Sequence, residues 1–509
     1  MVTRCSLLSV LLPLLLTSLS LAEDVYRVGV AQVDITPTTP IRLRGYASRK
    51  TETTQVESRL SAEALAISRG SEPPFVVVTV DNCIVSDPLV RRVSTQVERA
   101  TKLPRERLSV GATHTHNGPI LAGMSKTLYV HPLPAGHAKH IEDYTKTLEA
   151  KLVRLIQDAL KNRRAASLSF ARGSATFGAN RRTKGGPIDR DLPVLLAKSR
   201  ESGDVLAVWT SYACHCTTLS HNAISGDWAG YAKSSIEKLY PGSIALVSAG
   251  CGGDQNPHRE GASGTKAQEA IARKHGASIA AEIERIAQAS KSLSGSLESE
   301  LRFIEIPLST APNRAEWERR AKQGGTTGYH AKVHLDRLKR GEALKTHVPY
   351  PVQSLRFGDE LAILFLGGEV VVDYARRLKS ELDHRRLWVN AYSNDVSCYV
   401  PNERVLREGG YEGGGAMIYH DWAAPFARGI ENQIIAECRR QIPESFVRVP
   451  PKLPVGQEEV ARYTARRVSQ KLKIDGRLDE RAWQVAPKTG DFVATCHARS
   501  SRRPSIFSF

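Results

Sequence analysis

Residues 74–85 read PFVVVTVDNCIV, a nearly unbroken run of apolar and β-branched side chains. A strand with one exposed face alternates polar and apolar residues, whereas this run does not, so it predicts a strand that is covered on both faces. Helical spacing of apolar residues follows in 87–101, and 108–112 is a second short apolar run. This order of strand, helix and strand is typical of mixed α/β layers.

The same interleaving continues along the chain. Further strands are predicted at 25–35, 205–216, 243–249, 352–356 and 361–366, and further helices at 141–160, 276–289 and from Glu369 to about 382. We therefore predict the α/β class, with mixed β-sheets layered with helices in one large domain over residues 23–449. A polar, basic stretch at 309–345 predicts a helical insertion over the surface of that domain.

The two ends of the chain differ from its middle. Arg4, the apolar run 7–21 and the small residues around Ala22 predict a signal peptide at 1–22 and a secreted or periplasmic protein. That run is shorter than the roughly 20 residues of a membrane span, so no transmembrane segment is expected in the mature chain. Pro450, Pro451 and Pro454 indicate a linker at 450–470, followed by a separate segment at 471–509.

Charge and cysteine content exclude some classes of protein. The formal net charge is +18, but no basic helix, zinc finger or aromatic–basic platform is visible, so nucleic acid is not an expected partner. Peripheral contact with an anionic surface, or simply a solvated basic surface, remains open. Of eight cysteines, Cys5 leaves with the signal peptide, and the remaining seven show no disulfide framework.

Four separated stretches carry residues suited to metal chemistry. His114 and His116 stand two apart directly after a strand, so both can face one side of an extended chain. His215 lies between Cys214 and Cys216, and alternation lets either the histidine or the cysteine pair face a metal, but not both. Glu369 follows a Gly-Gly break, where it could reach a pocket or merely stabilise a helix N-terminus.

The fourth stretch holds Tyr399 and, further on, Tyr411, in segments whose glycine and proline content predicts loops. Each of these residues also has an ordinary structural interpretation: histidines satisfied by their surroundings, and tyrosines used for packing.

Taken together, these motifs resemble the neutral/alkaline, non-lysosomal ceramidases. The resemblance rests on Gly29-Val30-Ala31, Asp34-Ile35-Thr36-Pro37 and Arg44-Gly45-Tyr46, and on residues 112–119, which match the family's A-T-H-T-H-S-G-P signature with one change, at Asn117. The motifs occur in family order from about residue 26 to 435. The resemblance implies a zinc-dependent amide hydrolase that acts on ceramide-like lipids in sphingolipid metabolism, with residues 23–449 as its catalytic domain.

Carried over residue by residue, the resemblance implies that zinc is held by His114, His215, Glu369 and Tyr399. It places His116, Arg181 and Tyr411 beside the metal as catalytic groups. Metal-activated water would attack the amide carbonyl, Arg181 or Tyr411 would stabilise the oxyanion, and His116 would pass a proton to the leaving amine. The many aspartates in loops leave an additional Ca²⁺ or Mg²⁺ ion open.

Two departures from the family pattern matter. The family's G-D-V-S-P-N hexapeptide appears here as 253–258 with Asn256 in place of serine, which closes a serine-nucleophile mechanism at that position. Cys251, just before it, is a conceivable nucleophile, although a glycine-rich turn is the simpler interpretation. At the other end, Ile474-Asp475-Gly476 to Trp483 resembles the start of a family 9-like carbohydrate-binding module, so we expect a short, incomplete β segment there.

Two alternatives to a ceramide-like substrate follow. The carbohydrate-module resemblance motivates a zinc amidase of the same fold that acts on another exported amide, such as an N-acylated amino sugar. The other alternative is a catalytically idle binding protein that retains the fold.

Overall fold

The computed structural model describes residues 25–124, 127–128 and 132–448. The predicted signal peptide (1–22), linker (450–470) and module-like segment (471–509) lie outside the described residues and stay predictions. Among the helices that the structure describes, none combines the length and the apolar character that crossing a membrane requires.

A mixed nine-stranded sheet forms the centre of the described part of the chain. Along this sheet the strands follow the order β4-β3-β2-β1-β5-β7-β8-β9, with β11 beside β5, while β6 and β10 pair with each other. The bounds are β1 Tyr26–Asp34, β2 Ser61–Arg69, β3 Phe75–Val80, β4 Leu108–Ala112, β5 Arg164–Ser174, β6 Gly178–Asn180, β7 Asp191–Ser199, β8 Val205–Tyr212, β9 Ile244–Ala249, β10 Gln255–Pro257 and β11 Lys291–Leu293.

A second, four-stranded sheet is built from the later part of the chain. Its order is β12-β13-β14-β16, and two short strands, β15 and β17, form a separate parallel pair. The bounds are β12 Leu297–Pro307, β13 His347–Phe357, β14 Leu361–Leu366, β15 Glu369–Val370, β16 Leu387–Asn390 and β17 Tyr399–Val400.

Helices cover the outer faces of both sheets. The α-helices are α1 Asp87–Thr101, α2 Ala135–Lys161, α3 Asp227–Leu239, α4 Thr265–Ala287, α5 Arg314–Ala321, α6 Gly325–Lys339, α7 Asp373–Glu381, α8 Glu403–Glu408 and α9 Ile430–Arg440. Short 3₁₀ turns occur at Arg105–Arg107, Gly415–Tyr419 and Glu444–Phe446. Helices α5 and α6 fall in the range predicted as an insertion and pack together around the buried Trp317.

The core lies between the two sheets. Trp209 on β8 is 4.2 Å from Trp388 on β16 and 6.0 Å from Phe365 on β14, measured between ring centroids. Alternate residues on the other faces pack under the helices, so each inner strand is covered on both sides. The result is a helix–sheet–sheet–helix sandwich, which confirms the predicted α/β class.

Three parallel crossovers place the carboxyl ends of strands close together. They are β3-α1-β4, β8-α3-β9 and β14-α7-β16, and each brings two strands into parallel pairing. The segment after β16 joins the carboxyl ends of β4 and β9: Ala112 N–H donates to Tyr392 O at 3.1 Å, and Ala391 N–H donates to Ala249 O at 2.9 Å. In α/β folds such edges are where functional side chains collect.

Two sequence predictions are wrong: Glu369 does not open a helix, and Tyr399 does not lie in a loop. Glu369–Val370 is a short strand paired in parallel with Tyr399–Val400, and α7 begins only at Asp373. Three consecutive valines, 370–372, favour the extended chain, because their branched side chains lose rotamer freedom in a helix. Glu369 is therefore not a first-turn residue that stabilises a helix N-terminus.

Candidate metal centre

His114 lies on a tightly held loop directly after β4. Its φ is 64°, a left-handed conformation that costs a non-glycine residue on the order of 1 kcal/mol. Neighbouring contacts maintain it: the Thr113 hydroxyl donates to Asp81 Oδ1 at 3.2 Å, and the Thr115 hydroxyl donates to Ser225 O at 2.6 Å. Strain held in this way turns the side chains of the loop toward one point.

The tautomers of His114 and His215 are fixed by backbone carbonyls. His114 Nδ1–H donates to Cys83 O at 2.6 Å, and His215 Nδ1–H donates to Gly252 O at 2.8 Å. Each neutral ring therefore presents a lone pair at Nε2. A histidine that ligates a metal is usually oriented in this way by a hydrogen bond from its other nitrogen.

Glu369 and Tyr399 lie side by side because β15 and β17 pair residue for residue. The carboxylate oxygen Glu369 Oε2 is 3.2 Å from His114 Nε2 and 3.4 Å from His215 Nε2, and the Tyr399 hydroxyl is 3.2 Å from His215 Nε2. All four side chains are buried, with at most 5% of any residue exposed. Residues from four distant parts of the chain thus meet at one point.

These separations fit donor atoms that share one zinc ion, since two atoms each about 2.0–2.2 Å from the same ion lie no more than roughly 4.4 Å apart. Glu369 Oε2 is buried without a hydrogen-bond partner among the described residues, and it faces the lone pairs of two imidazoles. This arrangement is stable only with positive charge between the three atoms.

The pKa values of His114 and Glu369 reflect the same attraction between the imidazoles and the carboxylate. Burial lowers the pKa of His114, but the Glu369 carboxylate and the Cys83 thiol together outweigh burial and raise it to about 10. Burial raises the pKa of Glu369, and His114 and His215 lower it overall, to well below its usual value. The centre therefore attracts a cation, either a proton or a metal ion.

A second group that could hold a metal, Cys83, His114 and His116, fits less well. The Cys83 thiol approaches His114 at Nδ1, 3.9 Å away, and that nitrogen carries the hydrogen donated to Cys83 O. The same nitrogen cannot also bind a metal. His114, His215 and Glu369 are thus the better group, with Tyr399 as the neighbouring oxygen.

Arg181 lies against the centre and is held by an acidic partner. Its Nη2 donates to the Tyr399 hydroxyl at 3.1 Å, its Nη1 is 3.1 Å from His215 Nε2, and its Nε donates to Glu412 Oε1 at 2.7 Å. Asn256 Oδ1 accepts from Arg181 Nη1 at 3.4 Å. Sequence reasoning missed the role of Glu412, although its position beside Tyr411 in the predicted loop was a signal.

His116 and Tyr411 border the same centre. His116 Nε2 is 3.1 Å from His114 Nε2, and its Nδ1 has no hydrogen-bond partner in the described part of the chain. Gly45 packs against this ring so closely that a Cβ there would lie 2.4 Å from His116 Cγ. Tyr411 is 46% exposed, with its ring 5.2 Å from that of Tyr399.

The cysteines that sequence analysis considered point into the packed interior. Cys214 and Cys216 lie in the hydrophobic cluster beneath α3, so His215 is the member of that stretch that faces the centre. Cys251 is completely buried in the core, and burial raises the pKa of its thiol. A buried, protonated thiol is inert, which excludes Cys251 as a nucleophile.

Residues 26–276 match the family model described as "Neutral/alkaline non-lysosomal ceramidase, N-terminal". The match confirms the resemblance over just under half of the chain. It includes His114, His116, Arg181 and His215, whereas Glu369, Tyr399 and Tyr411 lie beyond it. The resemblance of 471–509 to a carbohydrate-binding module stays a prediction.

Two solved structures share the fold. One is neutral ceramidase from Pseudomonas aeruginosa, with a TM-score of 0.63 and 19% identity, covering 84% of this chain and 77% of that chain. The other is a ceramidase complexed with C2, with a TM-score of 0.62 and 19% identity, covering 85% and 78% of the two chains. The comparison with curated proteins gives no match.

Proposed function

We propose that this chain is a secreted, zinc-dependent amidohydrolase that cleaves the N-acyl amide of a ceramide-like lipid. The family match over residues 26–276 and the fold shared with ceramidases support hydrolysis of an amide. The observation that carries the proposal is the convergence of His114, His215, Glu369 and Tyr399, with both imidazole Nδ1 atoms already committed to backbone carbonyls.

Zinc held by these four residues would supply Lewis acidity, which polarises the amide carbonyl and makes water nucleophilic near neutral pH. The donor set is two neutral imidazoles, a carboxylate and a phenol oxygen, which suits zinc better than the all-oxygen shells of Ca²⁺ or Mg²⁺. Hydrolysis by zinc-activated water does not require a nucleophilic side chain at position 256.

Arg181 would stabilise negative charge on the carbonyl oxygen. Its guanidinium is fixed by Glu412, so its remaining N–H groups are oriented in advance toward the centre. Burial lowers the pKa of this arginine, but Tyr399 and Glu412 outweigh burial and raise it overall, so the side chain is always charged. A fixed charge that needs no reorganisation is the most effective kind in a buried site.

His116 would move the proton. Burial, together with the neighbouring His114 and His215, holds the pKa of His116 well below its usual value, so the ring is neutral at pH 7. A neutral ring can accept a proton from the attacking water at one nitrogen and pass it to the leaving amine. Nε2, which is 3.1 Å from His114 Nε2, is the nitrogen that faces the centre, whereas Nδ1 lies on the side packed against Gly45.

The mouth of the site suits an amphiphilic substrate. A cavity of about 460 Å³ is lined by Arg181, Arg182, Tyr411 and Glu412. The exposed Tyr411 ring offers an apolar face to a hydrocarbon chain and a hydroxyl to the polar headgroup. The net charge of +18 would favour contact with anionic surfaces where such lipids reside.

The first experiment is a substrate panel. Purified enzyme loaded with zinc is incubated with a fluorescent N-acyl sphingosine and with N-acyl glucosamines of the same chain length. We expect fatty acid release from the sphingosine amide. Fatty acid release from the glucosamines alone would indicate that the substrate is an N-acylated amino sugar. Release from neither substrate would indicate a binding protein without amidase activity.

The second experiment tests the metal. We expect about one zinc per chain by elemental analysis, and loss of that zinc in His114→Ala. His347→Ala, which changes an exposed histidine on β13, is the matched control and should retain the metal. Zinc content that His114→Ala leaves unchanged would rule out the centre. For secretion, N-terminal sequencing of exported protein should begin at Glu23.

A further inference from the structure

Tyr392 joins the two segments that carry His114 and Glu369. It follows β16, its N–H donates to Gly368 O at 3.1 Å, and its carbonyl accepts from Ala112 N at 3.1 Å. These partners are one residue from Glu369 and two residues from His114. The backbone of Tyr392 is thus part of the frame of the centre.

The backbone conformation of Tyr392 is strained. Its φ is 53°, in the left-handed region that bulky residues avoid because of steric strain. Asparagine or glycine would adopt this conformation more easily. A tyrosine therefore stands here despite its backbone preference.

The side chain adds a second unfavourable feature. Tyr392 is 1% exposed, and its hydroxyl has no hydrogen-bond partner among the described residues. The ring lies 4.3 Å from the His114 ring and 6.4 Å from the His215 ring, measured between centroids. A buried hydroxyl without a partner destabilises the folded chain, whereas phenylalanine would fill the same space without that loss.

The electrostatic surroundings of this hydroxyl are those of the centre. Burial raises the pKa of Tyr392 well above its usual value, with Glu369 and Tyr399 raising it further and Arg181 opposing them. A phenol ordinarily ionises only near pH 10, so this hydroxyl carries its proton at pH 7. It keeps one hydrogen available for donation.

We propose that the Tyr392 hydroxyl is a catalytic hydrogen-bond donor to the substrate's carbonyl oxygen in the metal centre. It would act beside Arg181 as a second donor to the oxygen on which negative charge develops. The missing partner of the hydroxyl is then the substrate, and the strained tyrosine has a function that phenylalanine could not replace. This inference rests on the proposed amide hydrolysis at the same centre.

Tyr350 on β13 provides a matched control. It is 2% exposed, and its hydroxyl also has no partner among the described residues. Burial is the main cause that raises its pKa, and the groups that add to this are Tyr374 and the core cysteines rather than the four residues of the centre. The two tyrosines thus share the buried, unsatisfied hydroxyl but differ in location.

The experiment compares Tyr392→Phe with Tyr350→Phe. We expect both variants to keep or raise the unfolding midpoint, because each removes an unsatisfied hydroxyl. Only Tyr392→Phe should lower kcat, by about 10-fold or more, with KM little changed. In the zinc-loaded protein it should also weaken calorimetric binding of hexanoate, a carboxylate product analogue, by about 10-fold.

Several results would overturn the assignment. These are unchanged kcat and hexanoate affinity in Tyr392→Phe, no hexanoate binding to the wild type, or a fall in the unfolding midpoint that Tyr350→Phe does not share. The hexanoate measurement needs no turnover. If the wild type cleaves no N-acyl amide but Tyr392→Phe still weakens hexanoate binding, the donor role stands and the proposed substrate fails.

Discussion

Lys233 is a buried cation beneath the metal centre, and we predict that its removal destabilises the fold strongly. It lies on α3, is 3% exposed, and donates to Asp81 Oδ2 at 2.7 Å and to Glu63 Oε1 at 2.9 Å. Both carboxylate residues are completely buried. Lys233→Met keeps a long unbranched chain and removes only the charge and its donors.

The size of the effect follows from the charges that remain buried after Lys233 is replaced. Without Lys233, two buried carboxylates face each other without a cation, and losing one partner of a buried ion pair costs about 3–5 kcal/mol. Burial lowers the pKa of Lys233, but Asp81 and Glu63 outweigh burial and raise it above 10.5. The stabilising contribution of Lys233 is therefore complete at pH 7 and is lost only as the pH rises beyond about 10.

The assay is guanidinium unfolding of the zinc-free chain at pH 7, followed by tryptophan fluorescence. We expect Lys233→Met to lower the free energy of unfolding by at least about 3 kcal/mol. The difference should shrink at pH 5, because a protonated carboxyl group needs no counter-ion. Lys238→Met, an exposed position on the same helix, is the control and should change stability by less than about 0.5 kcal/mol.

The same network should influence the metal. Asp81 also accepts from the Thr113 hydroxyl, next to His114, so zinc affinity should fall by about 10–100-fold in Lys233→Met. A variant within about 1 kcal/mol of wild type at pH 7, or a loss of stability that stays constant down to pH 5, would refute this reasoning.

Two further predictions concern single charges. Burial raises the pKa of Asp395 from 3.8 to about 6, so between pH 4 and 6 the folded chain binds more protons than the unfolded chain, and stability falls as the pH rises. Asp395→Asn should remove this loss of stability. In urea unfolding, its free energy of unfolding should exceed that of the wild type by up to about 3 kcal/mol at pH 7 and should equal it below pH 4. A gain that does not depend on pH would contradict this prediction. Glu412→Gln, which removes the charge paired with Arg181 at 2.7 Å, should lower kcat roughly 10-fold at unchanged zinc content, and equal loss of zinc would show that Glu412 only supports the fold.

Local pattern in the sequence determined the elements whose residues are strongly apolar or periodic. The β-branched run became β3, and the helix predicted at 87–101 is α1 with the same bounds. Strands β2, β5 and β7 were not predicted, because alanine and serine interrupt their β-branched residues and their pairing partners lie far away in the chain.

The order of the motifs also identified the site residues, but only as separate candidates. Whether His215 or its flanking cysteines face the centre was open, because alternation allows both. The structure decides it, since Cys214 and Cys216, which follow β8, pack beneath α3. Glu369 was assigned to the wrong element, because pairing with Tyr399, thirty residues later, overrides local preference.

The sequence alone thus determined the layered α/β class and the chemical types of residue that could hold zinc. Only the tertiary structure decided that Glu369 lies 3.2 Å from His114 and 3.4 Å from His215, and that Tyr399 lies 3.2 Å from His215. It also decided which imidazole nitrogen each histidine presents and that Tyr392 adds an unsatisfied hydroxyl. The physical reason is that these contacts depend on strand pairing and crossovers between distant segments, whose geometry leaves no periodic signal in the neighbouring residues.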